Sequence, residues 1–268
     1  MNFNDKIFVA GHTGLVGSAI VRELKRQGYN NIIVKSRKEL DLTDQFSVER
    51  FFDIERPDYV FLAAAKVGGI NYNKLYPADF ITENLQIQTN VITSSYEYNV
   101  KKLLFLGSAC IYPKITEQPI KEEYLMTGPL EPTNDGYAIA KIAGLTMCQK
   151  YYRQYGFKCI SVMPTNLYGM GDRFNIEHGH VIPGLINKFI TAKENKDSTI
   201  TCWGDGSPTR EFLYSDDLAD ACIFLMNSYD SDEIINVGIS NEITIRDLAE
   251  KLKDLIGFEG EIVWDESK

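Results

Sequence analysis

Tyr137-Ala-Ile-Ala-Lys141 sets a phenol and an ammonium four residues apart, on one face of any helix that carries them. A cation beside a phenol favours the phenolate. The spacing therefore predicts a Tyr137 pKa drawn down from about 10 toward working pH, and a hydroxyl able to exchange a proton with a carbonyl oxygen. Ser108 closes the apolar run KLLFLG, and its hydroxyl could hold the same oxygen. The Tyr-x-x-x-Lys spacing also occurs on ordinary surface helices. Behind a strand-end Ser and a glycine turn near the N-terminus, in that order, it reads as carbonyl chemistry.

The glycine turn is Gly11-His-Thr-Gly14-Leu-Val-Gly17, between the apolar run KIFVA and an amphipathic stretch from Leu15. A tight turn, close backbone approach and a helix N-terminus facing an anion are what a dinucleotide pyrophosphate needs. The spacing is G-x-x-G-x-x-G. The run NIIVK ends without an Asp or Glu and continues as Lys35-Ser36-Arg37-Lys38, so a ribose 2′-phosphate, and hence NADP, is expected there. Asp41, before Leu42 and Thr43, could accept from the adenine amino group or cap the next helix.

These groups need a scaffold, and the chain supplies one. KIFVA, NIIVK, DYVFLA, KLLFLGS and KCISVMP read as buried strands. Helical patterns run Leu15 to Gln27, Ser47 to Glu55, Ala78 to Asn99 and Tyr137 to Tyr155. This alternation predicts an α/β fold, a doubly wound parallel sheet of Rossmann type with ligands at the carboxyl ends of its strands. Residues 1–163 read as the NADP-binding domain. Residues 164–268 read as a smaller substrate lobe interleaved with the main sheet. In it Val181 to Ala192, Ser215 to Asn227 and ITIRDLAEKLKDLIG are helical, and TITCW, EFLY, IINVG and EIVW are strands.

The 268 residues are 44% hydrophobic with a formal charge of -9, which supports a packed core and excludes a basic nucleic-acid face. Cys110, Cys148, Cys159, Cys202 and Cys222 are odd in number and lack metal-ligand spacing, so reduced thiols and no metal are expected. On residue type alone Cys110 is a small buried hydrophobe and His180 a structural histidine. No apolar stretch has the roughly 20 residues of a membrane span, and a cytoplasmic protein is expected.

The glycine turn, Ser108 and the Tyr137/Lys141 pair resemble the extended short-chain dehydrogenase/reductase family. The strings GHTGLVGSAI, LAAAKVGGI, YPADFI, KLLFLGSACIYPK, LEPTNDGYAIAKIAG, VMPTNLYG, HVIPGL and TREFLYSDDLA narrow the match. They resemble the branch that epimerises GDP-4-keto-6-deoxy-D-mannose at C3 and C5 and reduces it with NADPH at C4, giving GDP-L-fucose. The likeness runs from Lys6 to about Trp264. It implies that Cys110 and His180 (not its neighbour His178) exchange the C3 and C5 protons, both suited to neutral pH. It implies further cofactor contacts at Thr13, Leu15, Val16, Ala63, Ala64, Ala65, Pro164, Asn166 and Leu167. Substrate contacts are implied at Asn166, His180, Lys188, Trp203 and Arg210, the last because a charge beside apolar EFLY needs a partner. A homodimer paired through the two long helices is also implied. Relatives continue beyond WDESK, so the lobe reads as truncated at its C-terminus. A sister nucleotide-sugar epimerase or dehydratase, and a non-catalytic NADP-binding protein, are the competing readings.

Overall fold

The computed structural model describes residues 1–172, 174 and 180–267; His178 lies outside them. The first half alternates strand and helix: β1 (Ile7–Ala10), α1 (Leu15–Arg26), β2 (Ile32–Ile33), α2 (Gln45–Glu55), β3 (Tyr59–Leu62), α3 (Ile70–Leu75), α4 (Pro77–Glu97), β4 (Lys102–Leu106), α5 (Asp135–Tyr155) and β5 (Cys159–Pro164). Then come β6 (Asn166–Tyr168), α6 (Val181–Asn195), β7 (Thr199–Trp203), β8 (Thr209–Tyr214), α7 (Ser215–Ser228), β9 (Ile234–Val237), β10 (Glu242–Thr244), α8 (Ile245–Ile256) and β11 (Glu261–Asp265).

The main sheet has the order β2-β1-β3-β4-β5-β9, with every pairing parallel. Successive strand residues face opposite sides of a sheet. Phe8, Val60, Leu62, Leu103 and Phe105 therefore pack against Val48, Phe52, Val91, Ile92 and Leu145 of α2, α4 and α5. Ile7, Val9, Phe61, Leu104 and Leu106 pack against Ala19, Ile20, Leu24, Leu218, Cys222 and Ile223 of α1 and α7. Each such large apolar side chain contributes about 1.5–3 kcal/mol by leaving water. Both faces are covered, so the strands read as continuous apolar runs. A third cluster (Leu185, Phe189, Ile200, Cys202, Leu248 and Phe258) joins α6 and α8 to β7 and β11. β6, β8 and β10 form a small separate sheet.

Local chemistry moved several boundaries. α2 starts before Ser47 because the Asp44 carboxylate caps it, accepting from the Ser47 N–H at 3.3 Å. Asp41, the residue considered for that cap, instead accepts from the Thr43 N–H at 3.0 Å and its hydroxyl at 2.8 Å. The helix expected over ITIRDLAEKLKDLIG loses its start to β10, and Thr244 caps α8 by accepting from the Asp247 N–H at 2.9 Å. α3, β6 and β10 escaped the sequence reading because three to six residues carry too little periodicity to show.

Candidate active site

The chain passes from β1 to β2 on one side and then crosses to β3 on the other. The crevice between the carboxyl ends of β1 and β3 is the topological switch point, where ligands of open α/β sheets bind. Gly11, at φ +89°, starts the turn there. A Cβ on it would lie 2.7 Å from the Ala64 N, and a Cβ on Gly17 would lie 2.1 Å from the Gly11 carbonyl oxygen. Glycine is required at both positions to seat α1 against the turn. Thr13 and Gly14 are exposed, while Leu15 and Val16 are half-buried beneath them. No acidic residue stands in the first turn of α1, and Gly14 makes no side-chain cap, so its N–H groups face outward. His12 Nδ1 is buried here without a protein partner. An open helix N-terminus, a glycine cradle and an unmatched imidazole nitrogen fit a dinucleotide pyrophosphate.

Ala63, Ala64 and Ala65 follow β3 on the far side of that crevice, and the Ala63 N–H donates to the Ala10 carbonyl at 3.0 Å. Arg37, largely exposed, lies 3.3 Å from Glu83 of α4 and 4.0 Å from Asp41. Asn90 of α4 donates to the Leu42 carbonyl at 3.0 Å, tying this edge to the helix layer. Pro164 ends β5 beside Val237 of β9. Beyond it Asn166 and Leu167 enter β6, and Asn166 Nδ2 donates to the Glu211 carbonyl at 3.1 Å.

Ser108, Cys110, Tyr137 and Lys141 meet where β4 ends and α5 begins. Ser108 lies beside the Tyr137 hydroxyl and accepts from the Cys110 N–H at 3.3 Å. The Lys141 ammonium is buried, donates to the Leu106 carbonyl at 2.7 Å, and sits 4.8 Å from the Phe105 ring centroid. Burial pushes it down to about 8. Burial also pushes the Tyr137 phenol well above its ordinary value, with Cys110 adding to the rise and the Ser108 hydroxyl opposing it. The sequence spacing predicted the opposite. The physical reason is that Lys141 spends its charge on the Leu106 carbonyl in the same dry site, so desolvation of the phenol dominates. Tyr137 is thus a proton donor at neutral pH. A cavity of about 190 Å³ opens beside it, lined in part by Asn73, Phe80, Pro132 and Asn134.

Two residues that sequence reasoning missed support these groups. Asn134 Nδ2 donates to the Cys110 sulfur at 3.4 Å. Three places before Tyr137 it reads only as a helix cap, and nothing in the string announces a thiol partner. Glu83 holds both Arg37 and Lys66.

The other expected site residues are dispersed. His180 stands at the N-cap position of α6 without a side-chain capping bond, its Nδ1 3.9 Å from Asp172, and that partner is not a member of the Ser108–Tyr137 cluster. Lys188 and Trp203 do come together: the ammonium lies 5.0 Å from the indole centroid and donates to the Thr201 carbonyl at 2.9 Å. Arg210 is exposed on β8, and the partner its charge finds is the adjacent Thr209 carbonyl, to which it donates at 2.7 Å. Cys148, Cys159, Cys202 and Cys222 are buried free thiols, and Cys110 is half-buried. Among the described residues no group of three His, Cys, Asp or Glu could hold a metal, and no helix is long and apolar enough to cross a membrane.

The fold and this site define a nucleotide-cofactor enzyme of the short-chain dehydrogenase type: the NAD dependent epimerase/dehydratase family matches residues 7–238, and the chain belongs to it. Within the family, the chain is 60% identical over 263 residues to GDP-L-fucose synthase 1 of Arabidopsis thaliana, covering 98% of this chain and 81% of that one. Among solved structures, a GDP-6-OMe-4-keto-L-xylo-heptose reductase from C. jejuni superposes with a TM-score of 0.94 at 38% identity, covering 100% and 88% of the two chains. A GDP-L-fucose synthetase from Naegleria fowleri bound to NADP gives 0.92 at 34% identity, covering 100% and 83%.

Proposed function

We propose that this chain converts GDP-4-keto-6-deoxy-D-mannose to GDP-L-fucose with NADPH, epimerising C3 and C5 and then reducing C4. The observation that carries this reading is a thiol, Cys110, held beside the Ser108–Tyr137 pair: a plain carbonyl reductase needs no second proton carrier there. The 60% identity to an Arabidopsis thaliana GDP-L-fucose synthase supports the choice of sugar.

The C3 and C5 protons flank the C4 ketone and are acidified by it. Cys110 and His180 form the pair that removes each proton and returns one on the opposite face. Ser108 and Tyr137 donate to O4 and hold the negative charge that builds there, as oxyanion donors do. NADPH, held by Gly11, Thr13, Gly14, Leu15, Val16 and Gly17 with Arg37 on its 2′-phosphate, supplies the hydride. Asp41, Leu42, Ala63, Ala64, Ala65, Pro164, Asn166 and Leu167 complete that cradle. Tyr137 gives its proton to O4 during reduction, and the Lys141 ammonium, 5.8 Å from the ring centroid, opposes the charge left on the phenol oxygen. Asn166, Lys188, Trp203 and Arg210 hold the GDP-sugar. Residues 1–163 act as the cofactor domain and 164–268 as the substrate lobe of a cytoplasmic homodimer, paired through α4 and α5; sedimentation yielding only monomer at micromolar concentration would remove the pairing.

The test is an incubation in heavy water with GDP-4-keto-6-deoxy-D-mannose and either NADPH or NADH, following nicotinamide absorbance and product deuteration. Oxidation of NADPH with deuterium at C3 and C5 is the expected result. Oxidation without deuterium would make the protein a 4-reductase only. Silence, with cofactor bound, would exclude this sugar.

A further inference from the structure

Asn134 occupies the cap position of α5, where an Asn normally turns its side-chain oxygen onto the helix N–H groups. It makes no such cap. The Asp135 carboxylate takes the Gly136 N–H at 2.7 Å instead, and the Asn134 amide reaches away from the helix to the Cys110 sulfur at 3.4 Å. Its Oδ1 is buried with no partner, so the amide is not held in place by an alternative hydrogen bond. The same residue lines the cavity beside Tyr137. A residue well suited to capping has been diverted to a thiol.

We infer that Asn134 is a positioning residue for the epimerase half of the reaction, its side-chain N–H steadying the Cys110 sulfur while that sulfur carries charge. This rests on the reading of Cys110 as a proton carrier. The proton balance is simple. The thiolate takes a hydrogen from the carbon beside the ketone, leaving the electron pair as an enolate on O4, and becomes a thiol. His180 returns a proton to the opposite face. The Asn134 N–H stabilises the charged form of the sulfur and less so the neutral one, so it favours the state that abstracts the proton. Ser108 and Tyr137 reach O4 without it, and Lys141 acts on Tyr137. Hydride transfer should therefore be spared while proton exchange suffers.

The experiment compares wild type with Asn134→Leu and Asn134→Asp in heavy water, using GDP-4-keto-6-deoxy-D-mannose. Deuterium entry at C3 and C5 is measured with NADP⁺, and the kinetic isotope effect on turnover with 4-deuterated NADPH. Loss of one charge-assisted hydrogen bond predicts deuterium entry slowed about tenfold to a hundredfold in Asn134→Leu. The nicotinamide isotope effect should fall toward one, because proton transfer becomes rate-limiting. Asn134→Asp, which keeps capping ability and shape but places a carboxylate against the sulfur, should lose at least as much while its melting temperature holds. An isotope effect that rises, or exchange at wild-type rate in Asn134→Asp, overturns the inference and leaves the proposed function standing. A wild-type protein that introduces no deuterium overturns both.

Discussion

The Lys141 ammonium lies 5.8 Å from the centroid of the Tyr137 ring and is anchored by a 2.7 Å hydrogen bond to the Leu106 carbonyl. The pair is four residues apart on α5, and the anchor comes from the last residue of β4. Both partners are desolvated, and burial drives their titrations apart: the phenol up, the ammonium down to about 8.

That arrangement predicts a pH-dependent stability in the protein free of cofactor. Below about pH 8 Lys141 is an ammonium in folded and unfolded chains alike, and its burial cost is present in full. Between about 8 and 10.5 the unfolded chain keeps a proton that the folded chain has lost, so stability rises with pH. Holding the ammonium at about 8 instead of 10.5 corresponds to roughly 3 kcal/mol. Urea unfolding of wild type and Lys141→Met should show their stability difference changing by about that amount across this window. A difference that stays flat with pH would refute it. Lys141→Met should also lose reduction.

Gly17→Ala should weaken both folding and cofactor binding. The added Cβ would sit 2.1 Å from the Gly11 carbonyl oxygen, a backbone atom that cannot swing away. Overpacking of this kind costs about 1–3 kcal/mol, and the displaced turn should reduce NADPH affinity more than tenfold. Thermal unfolding and NADPH fluorescence titration read the two effects separately. Unchanged affinity would mean that the turn is not the cofactor seat.

Arg37→Ala should erode the preference for NADPH. The guanidinium is exposed, with Glu83 at 3.3 Å, and its proposed role is to pair a 2′-phosphate through charge-assisted hydrogen bonds. KM for NADPH should rise about tenfold or more, as loss of such bonds implies, while KM for NADH stays near its starting value. Parallel rises in both would assign Arg37 a structural role.

Lys102→Met should cost stability without touching the site. This buried lysine of β4 donates to the carbonyls of Leu225 at 3.3 Å, Met226 at 2.9 Å and Tyr229, satisfying the end of α7. Burial lowers its pKa, yet three carbonyls, one buried and two part-buried, depend on it. Their orphaning should cost about 2–4 kcal/mol. Denaturant unfolding measures the loss, and NADPH affinity below the transition should match wild type.

Much of the fold was legible because its strands are buried on both faces and its helices carry one apolar stripe, patterns that a linear string displays directly. Gly11, Gly14 and Gly17, Ser108 and the Tyr137/Lys141 pair were legible for a related reason: each is a short-range feature attached to the end of such an element. Short pieces such as α3, β6 and β10 were not, since their pairing is set by distant partners. The direction of the Tyr137 shift was misread because spacing reveals a neighbouring charge but not how dry the site is, and in this fold burial outweighs the lysine. Asn134 on Cys110 and Glu83 on Arg37 join residues 24 and 46 places apart, so no window of sequence contains them both. The sequence by itself determined the layered sheet, the glycine turn and the inventory of reactive groups, because periodicity and covalent neighbourhood are local. The tertiary structure decided which groups meet and which protons they hold, because contact and desolvation depend on what the packed chain brings to each atom.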